Sequence, residues 1–337
     1  MANDTSSHEL FMQRAFELAA LGTGHVAPNP LVGAVVVYQG SILGEGWHRQ
    51  YGQAHAEVNA INSVSQMDLL PACTMYVNLE PCAHFGKTPP CSLLLIEKKI
   101  KRVFIANTDP YSEVAGKGIQ MLQKAGIEVH TGLSETNGRW LNRRFFTFHE
   151  KKRPYIILKW AQSADGFMAP DKAGNYWISS PESKTLLHKW RSEEPAILVG
   201  ARTVLLDNPA LNTRLIQGKS PRPVVIERSP GIHGHFKLFE NPLLIRLRYQ
   251  ASLRDELPEL LALLHEQQLQ SVLVEGGAAV LNSFLQSGLW DEIRCFEAPL
   301  LLHNGLAAPA IPAEAQFIKN EHIGTDNLKL YTNINNQ

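Results

Sequence analysis

Cysteine is scarce in this chain, four residues in 337, too few for the disulfide framework that holds small secreted folds together. Long apolar runs are missing too, and no stretch approaches the roughly 20 apolar residues of a membrane span. The opening MANDTSSHELFMQRAF is polar and then amphipathic, without the apolar core of a signal peptide. Neither sign of charge dominates: 32 Lys and Arg balance 32 Asp and Glu for a formal net charge of +0, which removes the electrostatic reason to expect nucleic acid. G-x-G-x-x-G and a Walker loop are both lacking, so neither common nucleotide cradle is announced by its glycines. The expected setting is the cytoplasm, with no membrane association. There the thiols of Cys73, Cys82, Cys91 and Cys295 stay reduced, and metal binding or burial is a better default than a disulfide.

What is present is a globular composition, 44% hydrophobic and 19% charged, over a length that exceeds one ordinary hydrophobic core, so two domains are expected. Ser6-x-x-Glu9 has the form of a capping box ahead of Phe11, Ala15, Leu18 and Ala19 on one helical face, predicting a helix over 7–21. LVGAVVVYQGSILGEGWH reads as a hairpin turning at Gln39-Gly40, HAEVNAINSV as a helix and TMYVNLE as a strand. PPCSLLLIEKKI reads as a helix opened by prolines, RVFIANT as a strand, and GIQMLQKAGIEVHTG as helix, glycine stop and strand. Such alternation predicts a layered α/β domain over residues 1–148. The charged HEKKRP marks the expected boundary, and a second α/β domain over 149–337 carries strand-like AILVG, RPVVIE, PLLIRL, SVLVEGG, EIRCFEAPLLL and LKLYTNI. Its helical candidates lie at 181–191, at 255–269 and after Gly277.

The cysteines of NLEPCAHFGKTPPC pose a metal question. His55 is expected at the start of one helix, Cys82 after a strand and Cys91 at the start of the next helix. One imidazole and two thiols then converge near two positive helix ends, which favour thiolate. Three such ligands leave the fourth tetrahedral zinc position open, as a catalytic site requires, and Glu57, two residues past His55, is placed to handle protons beside it. A histidine at a helix start is most often only a polar terminal residue, and a cysteine pair only packing. The combination says more: His-Ala-Glu, then Pro-Cys with 27 residues from His55 to Cys82, is the pattern of zinc nucleobase deaminases, whose glutamate is a general acid/base and not a ligand. The second cysteine comes at 91 after HFGKTPP, so His84 stands as a rival third ligand. Two other readings remain open on these residues: a deaminase acting on RNA, and a structural zinc module. Charge neutrality and the long insert weigh against the first, and Glu57 beside an open position against the second.

The insert GKTPPC, with HAEVNAI, PNPLVGAVV and DPYSEVAGKG, resembles the bifunctional pyrimidine deaminase/reductase family of riboflavin biosynthesis, and the likeness runs over nearly the whole chain. It implies a cytidine-deaminase-like three-layer domain followed by a dihydrofolate-reductase-like α/β domain. Zinc would be held by His55, Cys82 and Cys91, with Glu57 as proton shuttle, while Asn29, His48, Lys87 and Thr88 fall on substrate-contacting positions. In isolation Asn29 would pass for a turn residue and Lys87 for a solvated loop charge.

The second half is nearly silent without that likeness. LVEGGAAVLNSFL ends a strand at Glu275-Gly276-Gly277 and opens a helix, an arrangement that cradles phosphate, although an ordinary tight turn has the same form. KWAQSADGFMA, GNYWISS and GARTVLLDNPALNTR resemble the family's reductase segments, with Ala164, Phe167 and Pro170 departing from its usual pattern. The resemblance implies hydride transfer from NADPH to the ribose of a phosphoribosylaminopyrimidine. Ala161, Trp177, Thr203, Asp207 and the run Gly277, Ala278, Ala279, Val280, Leu281, Asn282 and Ser283 fall on the cofactor side. Lys159, Asn175, Arg191, Leu211, Arg214 and Glu275 fall on the substrate side. Read locally, Lys159 is a strand-edge charge, Trp177 a core aromatic and Arg191 a helix-end residue. The expected partners are a small-molecule substrate and further copies of the chain in a homo-oligomer.

Overall fold

The computed structural model describes residues 2–85, 89–111, 115–171, 176–228 and 231–336. The chain divides into two compact units, Met1–Lys151 and Lys152–Gln337.

The first unit runs α1 (Ala2–Ala20), β1 (Gly33–Tyr38), β2 (Ser41–Trp47), α2 (Ala56–Asn62), β3 (Thr74–Leu79), α3 (Cys91–Glu97), β4 (Arg102–Asn107), α4 (Lys117–Lys124), β5 (Glu128–Thr131), α5 (Glu135–Leu141) and α6 (Arg143–Lys151). Its sheet has the order β2-β1-β3-β4-β5; β1 is antiparallel to β2 and β3, and β3, β4 and β5 are parallel. Strands buried on both faces read as continuous apolar runs, and β1 does so because alternate residues serve different cores. Ala34 and Val36 join Ala60, Ile61, Leu95 and Leu122 under α2, α3 and α4, whereas Val35 and Val37 meet Met12, Ala15 and Phe16 of α1. Three layers result. The β1–β2 turn uses Gln39 at φ 48° and Gly40 at φ 80°, the left-handed pair that a two-residue hairpin demands. Gly46 sets the depth of α2, because a Cβ there would lie 2.3 Å from the Ala60 nitrogen. Helix α1 begins earlier than its sequence signal, so Ser6 lies within the helix and the capping box does not act as its start.

The second unit runs β6 (Tyr155–Ser163), β7 (Phe167–Ala169), α7 (Pro181–Glu193), β8 (Ala196–Gly200), α8 (Ala201–Asp207), β9 (Arg222–Arg228), β10 (Ile245–Tyr249), α9 (Leu253–Glu266), β11 (Ser271–Gly276), α10 (Ala278–Ser287), β12 (Glu292–Ala298), β13 (Leu306–Ala307), β14 (Ala315–Ile323) and β15 (Asp326–Asn333). Eight strands form one sheet in the order β10-β9-β8-β11-β6-β12-β15-β14, and β13 pairs with β7. The first six are parallel, and β15 and β14 complete the sheet in antiparallel fashion. Leu257, Leu261 and Leu264 of α9 and Leu281 and Phe284 of α10 cover one face; Leu187 and Trp190 of α7 pack with Leu273 and Phe296 on the other. Ser180 caps α7 by accepting the Ser183 N–H, with Pro181 in its first turn, the asymmetry expected of a helix start. Strand β14 and helix α8 went unread in the sequence. The first is largely exposed and lacks an apolar pattern, and the second is a single short helix between a strand and an irregular stretch.

Candidate active sites

In the first unit, His55 occupies the N-cap of α2 and Cys91 the first position of α3. Cys82 lies three residues past the end of β3, so two helix starts and a strand end deliver the three side chains to one place. Their donor atoms lie within 4.8 Å of one another: His55 Nδ1 is 3.6 Å from Cys82 Sγ and 3.3 Å from Cys91 Sγ. The Cys91 N–H donates to Cys82 Sγ at 3.3 Å. A hydrogen bond from the Cys91 thiol, joined by His55 and the Cys91 N–H, brings the Cys82 thiol down to about 4. Hydrogen bonding to Cys82 lifts His55 to about 9. These atoms compete for shared protons, and one nitrogen with two sulfurs is the donor set whose protons a zinc ion displaces. His84 is exposed and stands outside the cluster.

Glu57 projects from the first turn of α2 and is 3% exposed. Burial pushes its carboxyl above the ordinary carboxylate range. His48 lies 5.4 Å from His55, ring centre to ring centre. Its Nδ1 donates to the Ala54 carbonyl at 3.1 Å, and burial holds the ring's pKa below the ordinary imidazole value. Neutral and protonated at Nδ1, it accepts the Asn29 amide at Nε2, 3.1 Å away, and that bond leaves the Asn29 carbonyl oxygen to other donors. Lys87 and Thr88 lie outside the described residues.

Sequence reasoning missed what holds Cys82 in place. Glu80 is buried, and its carboxylate accepts the N–H groups of Asp109, Gly116, Gly118 and Ile119 at 2.9 to 3.2 Å. It thereby satisfies the free donors at the start of α4 and ties the β4–α4 segment to the strand end two residues before Cys82. Gly118 permits this approach, since a Cβ there would sit 2.0 Å from the Pro81 carbonyl oxygen. Within the same segment, burial pushes the Asp109 carboxyl up to about 6. A glutamate directly before Pro-Cys was the available signal.

In the second unit Lys159 and Ala161 lie on β6, Thr203 in the helix directly after β8, and Glu275 and Gly277 at the carboxyl end of β11. That is where ligands bind in open parallel sheets. Arg191, near the end of α7, makes a bidentate pair with Glu275 of β11, both contacts at 2.7 Å, and donates to the Asn212 carbonyl at 3.1 Å. The two side chains are 7% and 9% exposed. Lys159 of β6 faces the same pair; burial holds its ammonium below the usual range, against the pull of Glu275. Arg214 is exposed and donates to Asn212 Oδ1 at 3.2 Å, while Leu211 is buried with φ 49°. Asn175 lies outside the described residues.

On the cofactor side, α10 starts directly after Gly277. The first helical hydrogen bonds come from Val280 and Leu281 to the Gly277 carbonyl, so the N–H groups of Ala278 and Ala279 have no partner within the helix. Val280 and Leu281 are turned into the core, which narrows this run's outward contribution to its backbone start and to Ala279, Asn282 and Ser283. Thr203 Oγ1 lies 3.3 Å from where a Gly277 Cβ would stand. Ala161 is half-buried on β6, and Asp207 is exposed at the end of α8. Trp177 is 55% exposed rather than a core aromatic, with Lys184 Nζ 3.9 Å from its ring centre.

Comparison with known proteins assigns a domain to each unit. The cytidine and deoxycytidylate deaminase zinc-binding region matches residues 5–107, and the RibD C-terminal domain matches 154–329. The riboflavin biosynthesis protein RibD of Bacillus amyloliquefaciens is 40% identical, over 94% of each chain. The chain belongs to the RibD family. Among solved structures, RibD of Acinetobacter baumannii superposes with a TM-score of 0.89 at 32% identity, over 98% of this chain and 99% of that one. The deaminase/reductase of Thermotoga maritima does so at 0.88 and 35%, with the same coverage. As a RibD family member the chain is a bifunctional enzyme of riboflavin biosynthesis, with a zinc-dependent deaminase and an NADPH-dependent reductase. The second half therefore matches the family's reductase domain.

Proposed function

We propose that the N-terminal unit hydrolytically deaminates 2,5-diamino-6-(5-phosphoribosylamino)pyrimidin-4(3H)-one. The C-terminal unit then reduces the ribosyl group of 5-amino-6-(5-phosphoribosylamino)uracil to ribityl. The observation that carries the reading is the convergence of His55, Cys82 and Cys91 within 4.8 Å, with the buried carboxyl of Glu57 on the same helix turn. His55, Cys82 and Cys91 hold the metal, and zinc, when bound, acidifies water so that it is a competent nucleophile near neutral pH. Glu57 is placed to move both protons of the consumed water, one to the ring nitrogen as the oxygen adds and the second to the amine, which leaves as ammonia. Its raised pKa suits a group that must both accept and give protons. Asn29, oriented by neutral His48, offers its carbonyl oxygen to a ring donor, and Lys87 and Thr88, which lie between Cys82 and Cys91 in the sequence, contact the substrate.

In the reductase, Arg191, Leu211, Arg214, Lys159, Asn175 and Glu275 form the substrate side. Ala161, Trp177, Thr203, Asp207 and the 277–283 run face NADPH, whose phosphates suit the free N–H groups at the start of α10. Arg191 spends three of its five N–H groups on Glu275 and Asn212, and the other two remain for the substrate phosphate. The boundary between the activities falls at 148/149, close to the division of the compact units. A cytoplasmic homo-oligomer acting without nucleic acid or membrane completes the proposal. Its supports are four free cysteines, balanced charge, the lack among the described residues of a helix long and apolar enough to cross a membrane, and an edge strand β14 exposing Phe317 and Ile318.

The test is to feed the diaminopyrimidinone ribosyl phosphate with and without NADPH and to follow ammonia release and NADPH oxidation separately. Glu57→Gln should lose about 10²- to 10⁴-fold in ammonia release while still reducing the pre-deaminated substrate. Retention of more than about a tenth of the parent rate removes Glu57 from the chemistry.

A further inference from the structure

His188 is 1% exposed on α7, one turn before Arg191 and one turn after Lys184. Its neighbours are cations: Arg191, Arg214 and Lys184 all act on it, with Glu275 the one opposing charge. A histidine that serves only as filling is poorly placed there, because a leucine would pack against the sheet without bringing a polar ring among three positive charges. What the ring supplies is an acceptor. Its Nδ1 receives the main-chain N–H of Arg214 at 3.2 Å. Arg214 lies in irregular chain between α8 and β9, where its N–H has no strand or helix partner, and the imidazole is what holds it.

The stretch 211–214 is thus held at several points from one helix face. Arg191 takes the Asn212 carbonyl, His188 takes the Arg214 N–H, and Asn212 Oδ1 steadies the Arg214 guanidinium. Both ends of Arg214 are fixed, its backbone by His188 and its head by Asn212. We infer that His188 is a positioning residue of the reductase, whose Nδ1 lone pair fixes the main chain at Arg214 so that the guanidinium meets the substrate phosphate without first being ordered. This rests on the proposed assignment of Arg191 and Arg214 to that phosphate. In this role the ring acts through Arg214 and only as a neutral acceptor: a second proton at Nδ1 would remove the bond and add a fourth positive charge to the cluster.

The experiment follows NADPH-dependent reduction and compares KM for the phosphoribosylaminouracil substrate with KM for its dephosphorylated counterpart. The chains compared are the parent, His188→Leu, His188→Asn, His188→Gln, Arg191→Ala and Arg214→Ala. His188→Leu should raise KM for the phosphorylated substrate about 3- to 10-fold, the scale of one hydrogen bond, with kcat, KM for NADPH and the dephosphorylated reaction little changed. Asparagine sets its amide oxygen near the place of Nδ1 and should restore the parent's phosphate preference to within about twofold. Glutamine reaches the place of Nε2 instead and should behave like leucine. If His188→Leu does not fold, the asparagine and glutamine variants decide alone. Equal behaviour of those two overturns the inference, as does a leucine variant that weakens both substrates alike. If Arg214→Ala loses the preference and His188→Leu keeps it, the positioning role is wrong and the phosphate assignment stands. If neither arginine variant loses it, the assignment itself falls.

Discussion

Removing Arg191 separates two consequences that one side chain combines. The guanidinium holds Glu275 through two 2.7 Å contacts in a setting where both partners are less than a tenth exposed. Truncating one member of such a buried pair leaves an uncompensated charge, which costs about 3–5 kcal/mol. Lys159 still attracts Glu275, so the lower end, about 3 kcal/mol, is the better expectation for Arg191→Ala. For a unit of this size that lowers the melting temperature of the reductase half by about 6–12 °C. The second consequence is functional. Two guanidinium N–H groups are not used among the described residues, and charge-assisted hydrogen bonds of about 1.5–3 kcal/mol each make the loss of phosphate contact about ten- to a hundredfold in apparent substrate affinity. The two effects come apart in a second variant. Adding Glu275→Gln to Arg191→Ala discharges the stranded carboxylate and should restore at least about half of the lost stability, while substrate affinity stays low. Scanning calorimetry and substrate titration on the same preparations measure both. An Arg191→Ala protein that melts within about 2 °C of the parent, or a double variant no more stable than the single, refutes the reasoning that an unpaired charge is what destabilises.

At the metal centre, Cys91→Ser should release zinc on gel filtration while His84→Ala keeps it, because His84 is exposed and apart from the cluster; metal analysis giving the reverse reassigns the third ligand. Gly118→Ala forces a methyl group against the Pro81 carbonyl oxygen. It should weaken zinc retention about 10- to 100-fold in a competition with a chelator, as disturbed supporting contacts do, and an unchanged affinity would show that the Cys82 turn absorbs the shift. Burial and the surrounding cations hold His188 down to about 4, against about 6.5 in an unfolded chain. Between these values the unfolded state binds more protons, so the stability this residue contributes is complete above about pH 6.5 and lost as pH falls towards about 4. Melting curves of His188→Asn across that window should show a shallower acid limb than the parent, and parallel curves would remove His188 from the acid response.

The deaminase half was legible because its chemistry is concentrated in chain-local signals. His55 and Glu57 share one helix start, and Cys82 and Cys91 stand close together in the sequence, so the motif suggested that they meet, with His84 left as a rival to Cys91. The alternation of strand and helix was equally plain, since each strand of the first sheet is bounded by a turn or a helix cap. What escaped was interaction at long range through the main chain. The four N–H donors of Glu80 come from a segment 29 to 39 residues away, and an N–H carries no residue identity to read. The reductase half was illegible for the same reason on a larger scale. Arg191 and Glu275 are 84 residues apart, and both stand in sequences that, taken locally, describe an ordinary helix end and an ordinary strand end. Only the likeness to a family joined them. Trp177, locally a core aromatic, is exposed under Lys184, in irregular chain just ahead of α7.

Both units place a buried glutamate at the carboxyl end of a central parallel strand, Glu80 just after β3 and Glu275 in β11, and the difference between them follows from what faces each one. Parallel strands end in a row of loops that must be held together without further sheet pairing, and a carboxylate with up to four acceptor sites is the most economical clamp available there. Glu80 meets only main-chain donors, so its contacts are local in effect: they fix the start of α4 and the turn leading to Cys82, and all four acceptor sites are taken up. Glu275 meets a guanidinium and an ammonium, two cations for one anion, so its corner of the unit keeps an excess of positive charge that no described acidic side chain of the cluster cancels. A phosphate dianion is the ligand whose charge completes that balance, whereas the pyrimidine ring, uncharged, is not. The same structural device therefore yields a rigid support for a metal ligand in one unit and an anion-seeking site in the other. Exchanging Glu275 for glutamine alone should raise the positive excess and tighten phosphate, even as it loosens the grip on Arg191 that gives the site its shape.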